Sequence, residues 1–239
     1  MIQELGRLPA TLKESYNTIY NRITSSGSTS TNVARQTLNW MLCAQNPLSV
    51  SQLIEAVSLG SELKVTKLSA SKILSVCCNL LILDTELDMF RFAHLSVREY
   101  LEGLDEYKEQ DLQLFALTRC LDFLKLNTLS KDSSEDIAFG RYAALFWPFH
   151  YKAIRAVHIQ DTVKPAMRVF LFQDLQTSSY FSTWISALGF SISWNDGHPR
   201  DIKFKLRDSI SSPASPLFMS CRFGIPWILE EMKSFPDVS

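Results

Sequence analysis

Apolar residues recur at three- and four-residue intervals along much of the chain, and the interruptions between those runs mark its elements. Leu8, Leu12, Tyr16, Ile19 and Ile23, with Pro9 pre-set for a first helical turn, predict an amphipathic helix over 9–24. The polar run 25–31 reads as a loop. A second helix over 32–44 places Val33, Thr37, Trp40, Met41 and Ala44 on one face and stops before Pro47. Ser49 and Gln52 have the spacing of a capping box, and Leu48 and Leu53 that of a hydrophobic staple, so a short helix runs from there towards Leu59. A third, over 66–79, buries Ile73, Val76, Cys77 and Leu80.

Two short β-prone runs follow, Leu81-Ile82-Leu83 and Met89-Phe90-Arg91-Phe92, separated by the acidic stretch 84–88, and they predict a hairpin. Three helices and then a hairpin is the order of a winged helix, in which the hairpin is the wing. Ser96 and Glu99 have the spacing of a second capping box, opening a helix whose inward face is Val97, Tyr100, Leu101 and Leu104. Beyond it the pattern stays helical, with one helix set by Leu114, Leu117, Leu121 and Leu124, one over 137–149 and one over 163–175, punctuated by Pro148 and Pro165. No clear period covers 178–208, and 211–214 reads as a linker. The expected class is mainly α: an N-terminal helix and loop (1–31), a winged helix (32–104), a helical linker domain (105–210) and a final helix pair (211–239).

Composition narrows the partners. With 46% hydrophobic residues among 239, a buried core is readily built. The 24 basic and 25 acidic residues leave a net charge of -1, so the chain as a whole has no electrostatic pull towards nucleic acid or anionic membrane. Five cysteines, two of them adjacent and none in a CxxC pair, argue for a reducing, cytoplasmic setting. The apolar runs are far shorter than the ~20 residues of a membrane span, and the first residues lack the layout of a signal peptide.

Catalytic patterns are missing. The eight glycines are too dispersed for a phosphate-binding loop or a nucleophile elbow. His94, His150, His158 and His198 lack metal-ligand spacing, and His150 and His158 are expected at the surface or in packing. Glu230 and Glu231 are helix neighbours that point apart, Cys77 suits a small buried hydrophobe, and Trp147 with Phe146 and Phe149 suits core rather than a ligand platform. No cofactor is expected. The alternative of a winged-helix nucleic-acid-binding module rests on Lys64, Lys67 and Lys72, but Glu62 stands beside them and Asp84, Glu86 and Asp88 at the wing would meet phosphates.

Several segments match one family in order. They are Leu8-Pro9-Ala10-Thr11-Leu12 with Tyr16, Ile19-Tyr20 and Ile23; Leu38-Asn39-Trp40-Met41 with Ala44 and Pro47-Leu48-Ser49; Cys78-Asn79-Leu80-Leu81; and Arg91-Phe92-Ala93-His94-Leu95-Ser96-Val97-Arg98-Glu99-Tyr100-Leu101. Together they resemble the region after the nucleotide-binding domain in fungal NACHT-ankyrin proteins, which are STAND-type, NOD-like regulatory NTPases of the innate-immunity and heterokaryon-incompatibility kind. The corresponding domain is also known as the GPI inositol-deacylase winged helix. Further matches are Ala116 with Cys120-Leu121, and Tyr142-Ala143 with Trp147 and His150. The stretch Ser215-Pro216-Leu217-Phe218-Met219-Ser220-Cys221-Arg222-Phe223-Gly224 resembles the TPLHxAAxxG opening of an ankyrin repeat, with Phe218 in place of the usual His and Ser220-Cys221 in place of two alanines.

The resemblance implies a non-enzymatic signalling and interaction module whose partners are a NACHT NTPase domain and ankyrin repeats. It also implies that this chain corresponds to the middle of a longer protein, with the NACHT domain before residue 1. In that family the winged helix folds over the nucleotide site at rest, and a histidine at the end of the wing contacts ADP phosphates; by position that residue is His94. Equally open is that His94 satisfies backbone groups where the hairpin meets the next helix.

Overall fold

The computed structural model describes residues 10–59, 68–126, 138–155, 163–173, 176–191, 206 and 215–233. The chain divides into two compact units, Met1–Phe115 and Ala116–Ser239.

In the first unit, α1 (Ala10–Thr24) is followed almost at once by α2 (Ser28–Cys43). The polar stretch expected to be a loop mostly is not one. Gly27, at φ 96, supplies the break, and Ser28 already begins α2. The small hydroxyl side chains instead close the end of α1: Ser26 Oγ donates to the Ile23 carbonyl at 2.7 Å and Thr31 Oγ1 to the same carbonyl at 2.9 Å. Buried Val33, Ala34, Leu38 and Trp40 then make α2 the central helix, against which α3 (Val50–Ser58) and α4 (Ala70–Val76) pack.

The capping box at the start of α3 is present in both directions, Ser49 Oγ accepting from the Gln52 N–H and Gln52 Oε1 from the Ser49 N–H. Leu48 and Leu53 are buried beside it, as the staple pattern requires. Ser49→Ala is expected to lower the unfolding free energy by about 1 kcal/mol, measured by urea denaturation; no loss would mean the cap is redundant.

Helix α4 begins later than its sequence pattern suggested, at Ala70, because Ser69 caps it by accepting from the Lys72 N–H. It also ends sooner, since Cys78 (φ 49) and Asn79 (φ 65) take left-handed backbone and turn the chain into β1 (Leu81–Asp84). Strand β2 (Met89–Phe92) pairs antiparallel with β1, in register Leu81 with Phe92 through Asp84 with Met89. A bridge between Ser49 and Met89, with the Val50 N–H donating to the Asp88 carbonyl at 2.9 Å, ties this hairpin to the start of α3. Helix α5 (Leu95–Glu102), a 3₁₀ turn (Asp105–Tyr107) and the start of α6 (Glu109–Leu126) complete the unit.

The second unit contains the rest of α6, then α7 (Ala138–Ala153), α8 (Val163–Leu171), a two-residue hairpin of β3 (Phe172–Gln173) and β4 (Gln176–Thr177), α9 (Ser179–Ser191), α10 (Pro216–Phe223) and α11 (Pro226–Lys233). Helix α7 is buried on nearly every side, including Phe139, Tyr142, Phe146 and Trp147.

Two expectations are corrected here. The helix expected over 137–149 does not stop there: α7 continues past Pro148 to Ala153. The missing N–H of Pro148 leaves the Ala144 carbonyl, four residues back, without its helical donor, and Trp184 Nε1 of α9 donates to that oxygen at 2.8 Å. Secondly, the helix expected to reach residue 175 stops at Leu171, where the β3–β4 hairpin takes over. Pro165 sits in the first turn of α8, where its missing N–H removes no helical bond. The segment 178–208, left open by the sequence, contributes α9, while 192–205 and the 211–214 linker lie outside the described residues.

Among the described residues no helix is long and apolar enough to cross a membrane.

Candidate functional site

His94 lies where the wing meets α5. Strand β2 ends at Phe92 and the Ala93 N–H is still held by the Leu80 carbonyl at 2.9 Å, so the backbone first comes free to turn at His94. His94 is therefore the N-cap residue of α5, and Ser96, expected in that role with Glu99, lies inside the helix. Nδ1 of His94 accepts from the Ser96 N–H at 3.2 Å and lies 2.6 Å from Ser96 Oγ.

A backbone N–H can only donate, so Nδ1 is the acceptor and the ring proton sits on Nε2. With that tautomer the Ser96 hydroxyl also donates to Nδ1, and the Tyr16 hydroxyl, 2.8 Å away, donates to Ser96 Oγ. Tyr16 and Ser96 are buried whereas His94 is exposed. The outcome is a directed chain of hydrogen bonds, running from buried Tyr16 of α1 through buried Ser96 to the exposed residue His94, whose Nε2–H is left as the ring's donor.

Two further hydroxyl contacts fasten α1 nearby. Tyr100 donates to Asn17 Oδ1 at 2.8 Å, and the Tyr20 and Tyr107 hydroxyls meet at 2.9 Å. Burial pushes Tyr20 up to about 12 and Tyr107 further in the same direction, so both remain neutral hydrogen-bonding groups at physiological pH. The sequence placed Tyr16 on the inward stripe of α1 and left Tyr20, which is also buried, off it. Their aromatic bodies, each needing a partner for the hydroxyl once buried, were the available signal for these bonds.

The wing is less acidic than its sequence suggested. Asp84 accepts from the Leu87 N–H and pairs with Arg91, both at 3.0 Å, and those two interactions hold its carboxyl below the usual carboxylate range. Glu86 and Asp88 are exposed at the tip, and so is Leu87. Of the lysines considered for nucleic acid, Lys72 is exposed on α4, whereas Lys64, Lys67 and the neighbouring Glu62 lie outside the described residues.

Elsewhere in the first unit a cleft of about 660 Å³ is lined by Cys43, Gln45, Arg98, Glu102, Lys108 and Gln113 among others. Its charges balance, Arg98 and Lys108 against Glu102 and Glu109, with Arg98 paired to Glu102 at 2.7 Å. It presents no net charge to a ligand.

The remaining residues singled out in the sequence are structural. Cys77 is buried and its thiol is pushed up to about 12 by that burial, which removes its nucleophilic form; Cys43 moves the same way. Cys78 is half-buried in the left-handed turn. Trp147 is buried edge-on to Phe170 and Trp184, at centroid distances of 5.5 and 5.2 Å. His150 is buried and its Nε2 meets the Tyr142 hydroxyl at 2.9 Å. His158 and His198 lie outside the described residues.

Helices α2, α3 and α4 packed together, a hairpin tied back to the start of α3 at Ser49, and a helix leaving the hairpin have the order of a winged helix. Residues 21–116 match the family described as GPI inositol-deacylase, winged helix domain. This segment is a winged-helix domain. The match runs from the last turn of α1 to the middle of α6 and takes in His94, while residues 10–20 of α1 lie before it. The matched residues are the winged helix of that description alone. No curated protein and no solved structure matches the chain. Within the winged-helix domain, Glu86, Asp88 and Leu87 are the surface of the wing, and His94 marks its base.

Proposed function

We propose that this chain is a non-catalytic regulatory module, cytoplasmic, that docks on a NACHT-type NTPase domain in the same polypeptide or another and relays its nucleotide state to an ankyrin array. The observation that carries this reading is the state of His94: an exposed residue whose Nδ1 is occupied by the α5 cap, which leaves Nε2–H as the ring's remaining donor. A phosphate oxygen is the kind of acceptor that such a donor suits. The winged-helix match supports the reading, and so does the construction of α10 and α11. There Ser215 Oγ caps α10 by accepting from the Phe218 N–H at 3.2 Å, Pro216 occupies the first helical position, and Gly224 at φ 66 makes the turn.

A hydrolytic role is disfavoured. His94 and Ser96 form a Ser–His contact, but the serine hydroxyl is buried under Tyr16 and is not presented to a substrate. Nucleic-acid binding is disfavoured by the exposed carboxylates of the wing.

The test supplies a NACHT domain loaded with fluorescent ADP and measures nucleotide release. The wild-type chain is expected to slow release, and His94→Ala to restore it by about tenfold, the worth of one charge-assisted hydrogen bond. No binding, and no effect of the wild-type chain on release, would sink the reading.

A further inference from the structure

We infer that Tyr16 and Ser96 are positioning residues for His94, so that the docking of α1 on the winged-helix domain reinforces the tautomer and orientation that the α5 cap gives the exposed residue's imidazole. Three observations meet here. The chain Tyr16 Oη to Ser96 Oγ to His94 Nδ1 is continuous, at 2.8 and 2.6 Å. Its proton direction is fixed at one end, because the Ser96 N–H donates to Nδ1. And α1 is held by polar bonds: among its described side chains the buried ones besides Ile23 are Tyr16 and Tyr20, each bonded through its hydroxyl, while Asn17 accepts from Tyr100.

An apolar interface tolerates small shifts, because dispersion contacts are non-directional. Hydroxyl bonds are directional, and a buried hydroxyl left without its partner is costly. Helix α1 therefore has one well-defined seat, and leaving it breaks all three bonds. When Tyr16 departs, Ser96 Oγ loses the donor that orients it, and its own proton is no longer committed to Nδ1. The imidazole then keeps only the longer 3.2 Å bond from the Ser96 N–H and is free to populate its other tautomer and rotamers. By reciprocity, anything that holds Nε2 in its donor form stabilises the seated helix. Since most of α1, residues 10–20, lies before the matched winged-helix segment, the device joins a flanking helix to the base of the wing. The coupling stands on these bonds alone, and its use in regulation rests on the nucleotide-sensing reading of His94.

The test needs no partner protein. Nitrogen shifts of the His94 ring in the full chain are expected to report mainly the Nε2–H tautomer in the wild type. Tyr16→Phe should raise the other tautomer measurably, whereas Tyr20→Phe, which removes a hydroxyl bond of α1 outside the chain, should leave the ring unchanged.

Amide exchange is the second readout. Both tyrosine variants should speed exchange in α1 about fivefold, the effect of about one hydrogen bond. His94→Ala should speed it too, and should do so less in the Tyr16→Phe background. If the ring shifts are identical in wild type and Tyr16→Phe, or if His94→Ala leaves α1 exchange untouched, the coupling is overturned. Those outcomes are separate from any failure to bind a NACHT domain, which would remove the regulatory use and leave the coupling in place.

Discussion

Acidification from pH 7 to pH 5 is expected to destabilise the chain by about 2 kcal/mol through His150 alone. The ring is wholly buried, and burial depresses its proton affinity to a pKa of about 3, against 6.5 when exposed. Between those values the unfolded chain binds a proton that the folded chain refuses, so stability is full above the unfolded value and falls as pH drops below it. Each unit of pH in that window costs about 1.4 kcal/mol, reaching roughly 4 kcal/mol near pH 3. The buried hydrogen bond with Tyr142 raises the stakes, since a charged ring has nowhere to go in a cluster of Phe139, Tyr142 and Phe146.

Urea unfolding at pH 7, 6 and 5, followed by tryptophan fluorescence, measures the slope. His150→Gln, which keeps hydrogen-bonding capacity and cannot titrate, should flatten most of it. An equal slope in wild type and variant would mean that the carboxylates, not this histidine, set acid stability.

The second large effect concerns Pro148 and Trp184. Trp184→Phe removes the donor that replaces the absent Pro148 N–H, leaving the Ala144 carbonyl buried without a partner, in addition to the loss of packing against Trp147 and Phe170. The unpaired carbonyl should account for about 1–3 kcal/mol. Pro148→Ala supplies an N–H in the right place, so Trp184→Phe in that background should cost about 1–2 kcal/mol less than in the wild type. A double-mutant cycle from denaturation curves reads this coupling. Strict additivity would show that the indole N–H is not the substitute for the missing helical bond, and that α7 tolerates its proline for another reason.

Much of the first unit was legible because its signals are local. The Ser49–Gln52 capping box, the Leu48–Leu53 staple and the two strands of the wing each depend on residues a few positions apart, and each is present, while of the α1 stripe Tyr16 and Ile23 are buried and Leu12 and Ile19 half-buried. The position of His94 at the end of the wing was equally legible. Its state was not, because Ser96 looks in the sequence like the cap and Tyr16 is 80 residues away. The polar run before α2 misled for a related reason. Serine and threonine favour loops on average, but here their hydroxyls found helix carbonyls to close.

The second unit makes the same division sharper. By itself the amino-acid sequence determined where helices are favoured, which faces are apolar, and that Pro148 removes one backbone donor. Tertiary structure alone decided that the helix survives that loss, because the replacement donor comes from Trp184, 36 positions beyond the proline in the chain and against it in space. It also decided that His150 is a neutral core residue and that His94 commits Nδ1 to the cap of α5. In each case the deciding quantity is whether a polar atom finds a partner when it is buried, and that depends on which distant segments pack together rather than on the residue's own neighbours.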